Sequence, residues 1–534
     1  MKNNLISKIR KDKIKKNHPL VTYLRLILIV FVLSFVLSLL NMSASYNTVN
    51  GATAAINPES TSIVNLFNPD VLKQFISGAT TNFMSFAPLS MFLMSTIGIS
   101  ICEASGFLDS VYTRVFSKLN SKFITFLVVF FATISTIINE VGFVLIIPLA
   151  ALLFRNKKRN PLLGITAAFA GCAFGTGTTI FCGSLEVNMI PYTTSAARLI
   201  DESSHIALTS NLYIMIATSI ILSIVGTVVI EKIIAPRLVR YHKKQQEIEV
   251  IELVDEEPEV IEQIKLSDEY HEKKGFKWAT IVSIVFIILF VYGLIDGLPY
   301  SGILLDKTQN TYVSKVFGNN SYFLYGFNFI VCIYLIITGL TYGLVSKRFV
   351  GSYDVAETCE DSMKHMGSIV LLIFVVSILN TAIKMSNLGV IVCGILSNFL
   401  NSLSFGGIIF MIIGFIFIAL SNVLLPGTVS KWSIFAPTLV TTLMKSNISP
   451  QFSQFVMRAA DSVTNGINPL FPYFVFFIGF LNFYNPNKDK TITIKESIRL
   501  IMPYFVIISI TWLGILIGWY ILGIPIGPGS YVTF

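Results

Sequence analysis

Charge is what this chain has least of. Asp, Glu, Lys and Arg make up 13% of its 534 residues, against roughly 25% in an ordinary soluble domain. Hydrophobic residues make up 53%, and the mean hydropathy is +0.71. A water-soluble chain of this length has no interior large enough for so much apolar surface. A soluble globular enzyme, a disordered protein and a nucleic-acid binder are therefore excluded. Histidine is also scarce. His18, His205, His242, His271 and His365 all fall outside the strongest apolar runs, which argues against a haem or a His-based metal site at membrane depth. The six cysteines (Cys102, Cys172, Cys182, Cys332, Cys359, Cys393) show no CxxC spacing. They read as small buried hydrophobes and not as a disulfide frame or metal site. There is no HExxH and no GxxxxGK[ST], so neither an intramembrane metallohydrolase nor an ATP-driven pump is indicated. The chain is read as a non-enzyme without cofactor, driven by an H+ or Na+ gradient.

What is present is a succession of apolar runs, each near the ~20 residues that cross a bilayer. The fold class is an all-α polytopic membrane protein. The net charge of +9 reads as a positive-inside signal rather than as affinity for nucleic acid. A basic N-terminus, residues 1–21, is placed in the cytoplasm, and the first transmembrane helix follows at 22–42. Residues 43–80 are polar and external. A span from about Asn82 to Val111 returns inward.

Residues 123–154 are apolar but interrupted midway by Asn139-Glu140-Val141-Gly142, with Lys122 at one end and Arg155-Asn156-Lys157-Lys158-Arg159 at the other. Basic residues at both ends, and too few residues for two spans, predict a re-entrant hairpin. Its polar tip is tolerable only where protein or water covers it. A run from Leu162 breaks at Gly175-Thr176-Gly177-Thr178-Thr179 and resumes to Ile190, which reads as a discontinuous helix, with residues 191–210 polar and external. A span at Leu212–Ile234 closes a first repeat, 80–234. Residues 235–275 form a charged cytoplasmic linker.

A second repeat, 276–482 and 497–522, carries the same plan inverted. Spans are expected at about Trp278–Leu298 and Tyr322–Leu344, with an interrupted segment from Ser368 to Leu403 broken near Asn380–Asn387. A second hairpin at 406–445 has its polar tip at 421–432. A broken helix follows, containing Arg458, Asp461, Ser462, Thr464, Asn465 and Asn468. A last span ends near Leu522. The sum is about nine transmembrane helices plus two opposed re-entrant hairpins, the hydropathy pattern of an inverted-repeat secondary transporter with its site at the midplane.

Ionisable residues at that depth persist mainly where they are paired or face water. Arg458 and Asp461, three apart on one helix face, can pair with each other. They serve either as a structural ion pair or in substrate and proton handling. Glu140 at the first tip is a candidate proton carrier or a helix cap. Asn139, Asn422, Thr428, Thr464 and Asn465 offer oxygens to a hard cation such as Na+, or hydrogen bonds to the broken backbone.

Several strings resemble the AbgT family of p-aminobenzoyl-glutamate transporters: Asn139-Glu-Val-Gly-Phe-Val-Leu-Ile-Ile-Pro-Leu-Ala-Ala-Leu152, Ala167-Ala-Phe-Ala-Gly171, Lys431-Trp432, Asp461-Ser-Val-Thr-Asn465 with Pro469 and Pro472, and Gly527-Pro-Gly529. The resemblance runs from about residue 20 to the end, apart from the charged linker. It implies a homodimer in which scaffold helices form the interface and a mobile core holds both hairpins, located in the plasma membrane of a bacterium. It also implies transport of p-aminobenzoyl-glutamate or related aromatic anions, with sulfonamide-type antimetabolite efflux in some members.

Carried over residue by residue, the resemblance assigns substrate contacts to Trp432, Arg458 and Asp461. Pro450 and Pro469 fall at the ends of the broken helix. Glu186 stands where an Asp is usual, and Val429 where a Ser is common. Lys431 would balance substrate charge or snorkel, and Trp432 would stack on the substrate ring. A di- or tricarboxylate symporter of the wider hairpin-containing superfamily is the alternative reading.

Overall fold

The computed structural model describes residues 18–50, 53, 55–138, 140–238, 258–318, 320–487 and 490–533, with the backbone alone at 258–268 and 365. Asn139, the basic residues before His18 and part of the charged linker lie outside the described residues.

Helix starts follow Pro and Asn. In α1 (Pro19–Leu39) Pro19 occupies the first turn, where its missing N–H is not needed, and His18 Nδ1 accepts from the Leu20 amide at 3.2 Å. Two antiparallel strands follow, β1 (Ser43–Val49) and β2 (Ile56–Ser62), pairing Ser43 with Ser62 and Val49 with Ile56. The next helices are α2 (Pro69–Ser77), α3 (Ala79–Met84), α4 (Ala87–Ala104), α5 (Phe107–Val111), α6 (Ser121–Ile134), α7 (Gly142–Asn156), α8 (Pro161–Phe174), α9 (Ser184–Ala197) and α10 (Leu212–Val229). The second half contains α11 (Pro258–Leu294), α12 (Tyr312–Phe317), α13 (Tyr322–Val345), α14 (Ser352–Ser386), α15 (Leu388–Asn401), α16 (Gly407–Ser421), α17 (Thr428–Lys445), α18 (Pro450–Asn465), α19 (Phe474–Phe483) and α20 (Ile494–Leu522).

Among the described residues, eight helical stretches are long and apolar enough to cross a membrane. Seven match expected spans. The eighth, Ser121–Ile138, is the first arm of the expected hairpin at 123–154. The two broken crossings are assembled from shorter pieces, α8 with α9 and α18 with α19. Each helix pair at an expected hairpin returns to its own starting level. Lys157 Nζ donates to Ser117 O at 2.7 Å and Arg159 Nη1 to Ser121 O at 3.0 Å, tying the end of α7 to the start of α6. Gly406, before α16, lies directly against Ser446, after α17.

Several boundaries differ from expectation. The polar stretch 43–80 contains the β-hairpin. Ala44, Tyr46 and Thr48 point inward with the two-residue period of a strand, and Asn398 Nδ2 of α15 donates to Ser45 O at 2.6 Å. The run Asn82–Val111 is not one span, because Pro88 restarts the helix at α4 and Gly106 turns it with φ 77°. The break expected near Asn380–Asn387 narrows to Asn387 alone, at φ 59°, with α14 unbroken through Asn380. Residues 191–210 are not all external, since α9 runs to Ala197 and Thr193 is buried.

The interior is built on α8, α18 and α19. Leu162–Phe174 are all buried, and so is nearly every residue of α18. Phe169 stacks on Phe477 with ring centroids 4.3 Å apart. The most polar of these helices, α18, sits deepest, because lipid cannot solvate its polar groups and neighbouring helices can.

Candidate functional site

Three interruptions of the backbone meet at one cavity beside α18: the turn between α6 and α7, the stretch 175–183 between α8 and α9, and the tip 422–427 between α16 and α17. Each strands backbone groups that need partners where no bulk water reaches. Side chains supply them. Thr136 Oγ1 donates to Thr178 O at 3.2 Å, and Thr178 Oγ1 to Met215 O at 2.7 Å. Asn422, fully buried, directs its Nδ2 to Asp461 O at 2.8 Å, Thr464 Oγ1 at 2.9 Å and Asn465 Oδ1 at 2.7 Å. Asn468 Nδ2 donates to Asn422 O at 3.1 Å and Val423 O at 3.2 Å. Asn465 Nδ2 reaches across to Thr176 Oγ1 at 3.0 Å. The α16–α17 tip, the end of α18 and the first break are thus one hydrogen-bonded unit. Gly177 permits the approach, because a Cβ there would lie 2.6 Å from Arg458 O.

Four charged side chains lie inside this unit: Arg458, Glu186, Lys431 and Asp461, none more than 4% exposed. Arg458 and Asp461, whose spacing lets them pair with each other, do not. Arg458 Nη1 pairs with Glu186 Oε1 at the start of α9, and Lys431 Nζ of α17 pairs with Asp461 Oδ1. Each charge on α18 has met an opposite charge from a different element, so the ion pairs tie helices together instead of closing within one turn. Glu186 Oε2 accepts from the Gly183 amide at 2.6 Å and so caps α9. Asp461 Oδ2 accepts from Thr428 Oγ1 at 2.5 Å, and Lys431 Nζ also donates to Asn422 Oδ1. Arg458 Nη1 further contacts Met215 Sδ at 3.1 Å, while its Nε and Nη2 have no partner among the described residues. An arginine fork is a bidentate carboxylate receptor, and these two buried donors are free to take up an acceptor.

A cavity of about 80 Å³ opens between the tips, lined by Thr136, Glu140, Thr176, Ser184, Leu185, Gly427, Thr428, Asp461, Asn465 and Phe471. Liquid water takes about 30 Å³ per molecule, so this space suits a few waters or a small cation and is too tight for an aromatic anion. Glu140, Thr428, Asp461 and Asn465 border it. Glu140 Oε2 accepts a long hydrogen bond from Tyr473 Oη at 3.5 Å, and among the described residues no side chain caps α7. Among the described residues no group of three His, Cys, Asp or Glu is placed to hold a metal ion. A cation here would be held by hydroxyl, amide and single carboxylate oxygens.

Trp432 does not line this cavity. Its ring is fully buried, with Nε1 donating to Thr193 Oγ1 at 2.8 Å while Thr193 donates to Gln454 Oε1 at 2.6 Å. Pro450 begins α18 beside its cap Ser449, and Pro469 follows the helix break; both shape backbone. The sequence reading missed Thr176, Thr193, Gln454 and Tyr473. Thr176 and Tyr473 signalled themselves only as polar groups within apolar runs, Thr193 was hidden in a stretch read as external, and Gln454 was one of many polar residues in α18. A larger crevice of about 230 Å³, lined in part by Glu103, Pro148, Arg155 and Tyr484, lies apart from these charges, and an Arg155–Glu103 ion pair of 2.8 Å spans it.

Multiple apolar crossings around buried, oppositely paired charges at converging helix breaks define a multi-pass membrane transporter. Residues 5–534 match the family described as "AbgT putative transporter family", and the chain belongs to that family. It is 27% identical over 521 residues to the p-aminobenzoyl-glutamate transport protein of Escherichia coli K12, covering 97% of this chain and 94% of that one. Among solved structures, it is similar to the Alcanivorax borkumensis YdaH transporter, with 26% identity, coverage of 96% of this chain and 100% of that chain, and TM-score 0.46. It is also similar to Neisseria gonorrhoeae MtrF, described as illuminating a class of antimetabolite efflux pumps, with 25% identity, coverage of 97% and 98%, and TM-score 0.47. The relatives are transport proteins, not enzymes.

Proposed function

We propose that this chain is a secondary active transporter of p-aminobenzoyl-glutamate or a closely related carboxylated aromatic anion, driven by a proton or sodium gradient across a bacterial plasma membrane. The observation that carries this reading is the Arg458 guanidinium. It is buried, paired on one side with Glu186, and has two donors left over. A substrate carboxylate would fill those donors or displace Glu186. Glu140 and Asp461, both on the cavity, are the groups through which a proton or sodium ion would be coupled to that exchange, with Asn422, Thr428, Thr464 and Asn465 supplying neutral oxygens. The small cavity fits a state closed around the ion site, and substrate entry would require the tips to separate.

The helix pairs 121–156 and 407–445 are read as opposed re-entrant hairpins within two inverted repeats, each bringing a tip to the midplane. The N-terminus is placed in the cytoplasm by the basic flanks. The chain is read as a homodimer whose hairpin-bearing core moves against a fixed scaffold. Sulfonamide-type antimetabolites, as aromatic amine derivatives, are a second cargo of the same site.

The test is flux of radiolabelled p-aminobenzoyl-glutamate into proteoliposomes under a proton gradient, a sodium gradient or neither. One gradient should drive accumulation, and Arg458→Ala should abolish it while the protein still elutes as a folded species. Accumulation that persists in Arg458→Ala would overturn the site. Flux of citrate or succinate in place of the aromatic anion would overturn the cargo.

A further inference from the structure

A second site lies at the end of the bundle that carries the basic run Arg155–Arg159. There the start of α8, the last turn after α10 (ending at Leu238), the end of α19 and the start of α20 enclose a groove of about 310 Å³. Its floor is apolar, with Leu238, Leu481 and Ile492 buried in it. Its rim carries Arg237, Arg499 and Glu496. The two arginines are exposed. Glu496 is turned into the cap of α20, its Oε2 accepting from the Thr493 amide at 3.0 Å and from Thr493 Oγ1 at 3.1 Å.

We infer that this groove binds an anionic phospholipid, with the phosphodiester on the guanidinium groups of Arg237 and Arg499 and the upper part of one acyl chain on the leucine floor. Two features on the page select this occupant. The first is charge: two guanidinium groups stand beside a carboxylate already engaged by its own helix, which leaves a net positive rim. Basic pockets between membrane helices recognise lipid headgroups in this way, and a planar guanidinium can donate two parallel N–H bonds to the non-bridging oxygens of a phosphodiester. The second is position. The groove opens between helix ends, where headgroup and acyl chain meet. A zwitterionic lipid would offer the same chain but cancel the charge.

The test is native mass spectrometry of the full-length protein, released from detergent after exposure to equal amounts of phosphatidylglycerol and phosphatidylcholine. The wild type should retain phosphatidylglycerol severalfold over phosphatidylcholine. Arg237→Gln with Arg499→Gln should bring the two to parity without changing the elution volume. A separate variant, Lys118→Gln with Lys122→Gln, removes two exposed cations elsewhere and should leave the preference intact. Equal retention by the wild type, an unchanged preference in the double arginine variant, or an equal loss in the lysine variant would each overturn the groove as the binding site.

Discussion

Lys431 shows how tightly the centre is balanced. It is fully buried, and its ammonium is shared between Asp461 and Asn422. A lysine at that depth, without a partner, would have to give up its charge or its place. Replacing one member of a buried ion pair leaves the other unpaired, at a cost of about 3–5 kcal/mol, while replacing both with apolar residues is far milder. Lys431→Met should therefore lower the thermal midpoint in detergent sharply, and Lys431→Met with Asp461→Leu should recover a large part of the loss. A single variant that melts like the wild type would show that the two charges do not depend on each other. These residues were legible in sequence as charges inside apolar runs. Their partners were not. Spacing along a helix states which side chains share a face, whereas Arg458 found Glu186 and Asp461 found Lys431 across hundreds of residues or across a hairpin, and only the packing of α9 and α17 onto α18 decides that.

The breaks in helices were easier to read than their edges. Gly175 to Thr179 and the tip at 421–432 announced themselves by polar, glycine-containing strings within apolar runs, since such strings have no reason to sit in lipid. The β-hairpin at Ser43–Ser62 gave no comparable signal, because its alternation of small polar residues resembles any exposed loop. Asn380 misled for a related reason. Its side chain Nδ2 donates to the Val376 carbonyl 3.1 Å away, so an asparagine can be absorbed by its own helix without breaking it. Glycine is the element-scale test. At Gly177 a methyl group would meet the Arg458 carbonyl at 2.6 Å, and backbone cannot step aside. Gly177→Ala should cost about 1–3 kcal/mol and reduce flux. Gly514, inside α20, has nothing within 4 Å of a Cβ, so Gly514→Ala should be neutral or stabilising by up to about 1 kcal/mol through helix propensity. Thermal unfolding of the two variants side by side separates close approach from loss of glycine as such.

For the whole molecule, sidedness is the property most readily measured. Five of the six cysteines are buried; Cys359 is partly exposed, on the polar first turns of α14, before the apolar stretch Met366–Ser386. It follows Lys347 and Arg348 in sequence, a basic pair that the positive-inside rule assigns to the cytoplasmic face. A membrane-impermeant maleimide should label Cys359 in inverted vesicles and leave it untouched in intact cells. Labelling from outside would reverse the proposed orientation. One connection acts across the whole fold. The Ser449 amide, at the start of α18, donates to Val532 O at 2.7 Å, its hydroxyl donates to Tyr531 O at 2.7 Å, and the Tyr213 and Ile214 amides at the start of α10 both donate to Ile526 O at 2.9 and 3.1 Å. The helix that bears Arg458 and Asp461 is thus buttoned in place by a segment that is synthesised only after α20. Until those codons are read, α18 lacks its clasp, and a stop codon falling just after Gly523 would leave every helix through α20 made and the central one never secured.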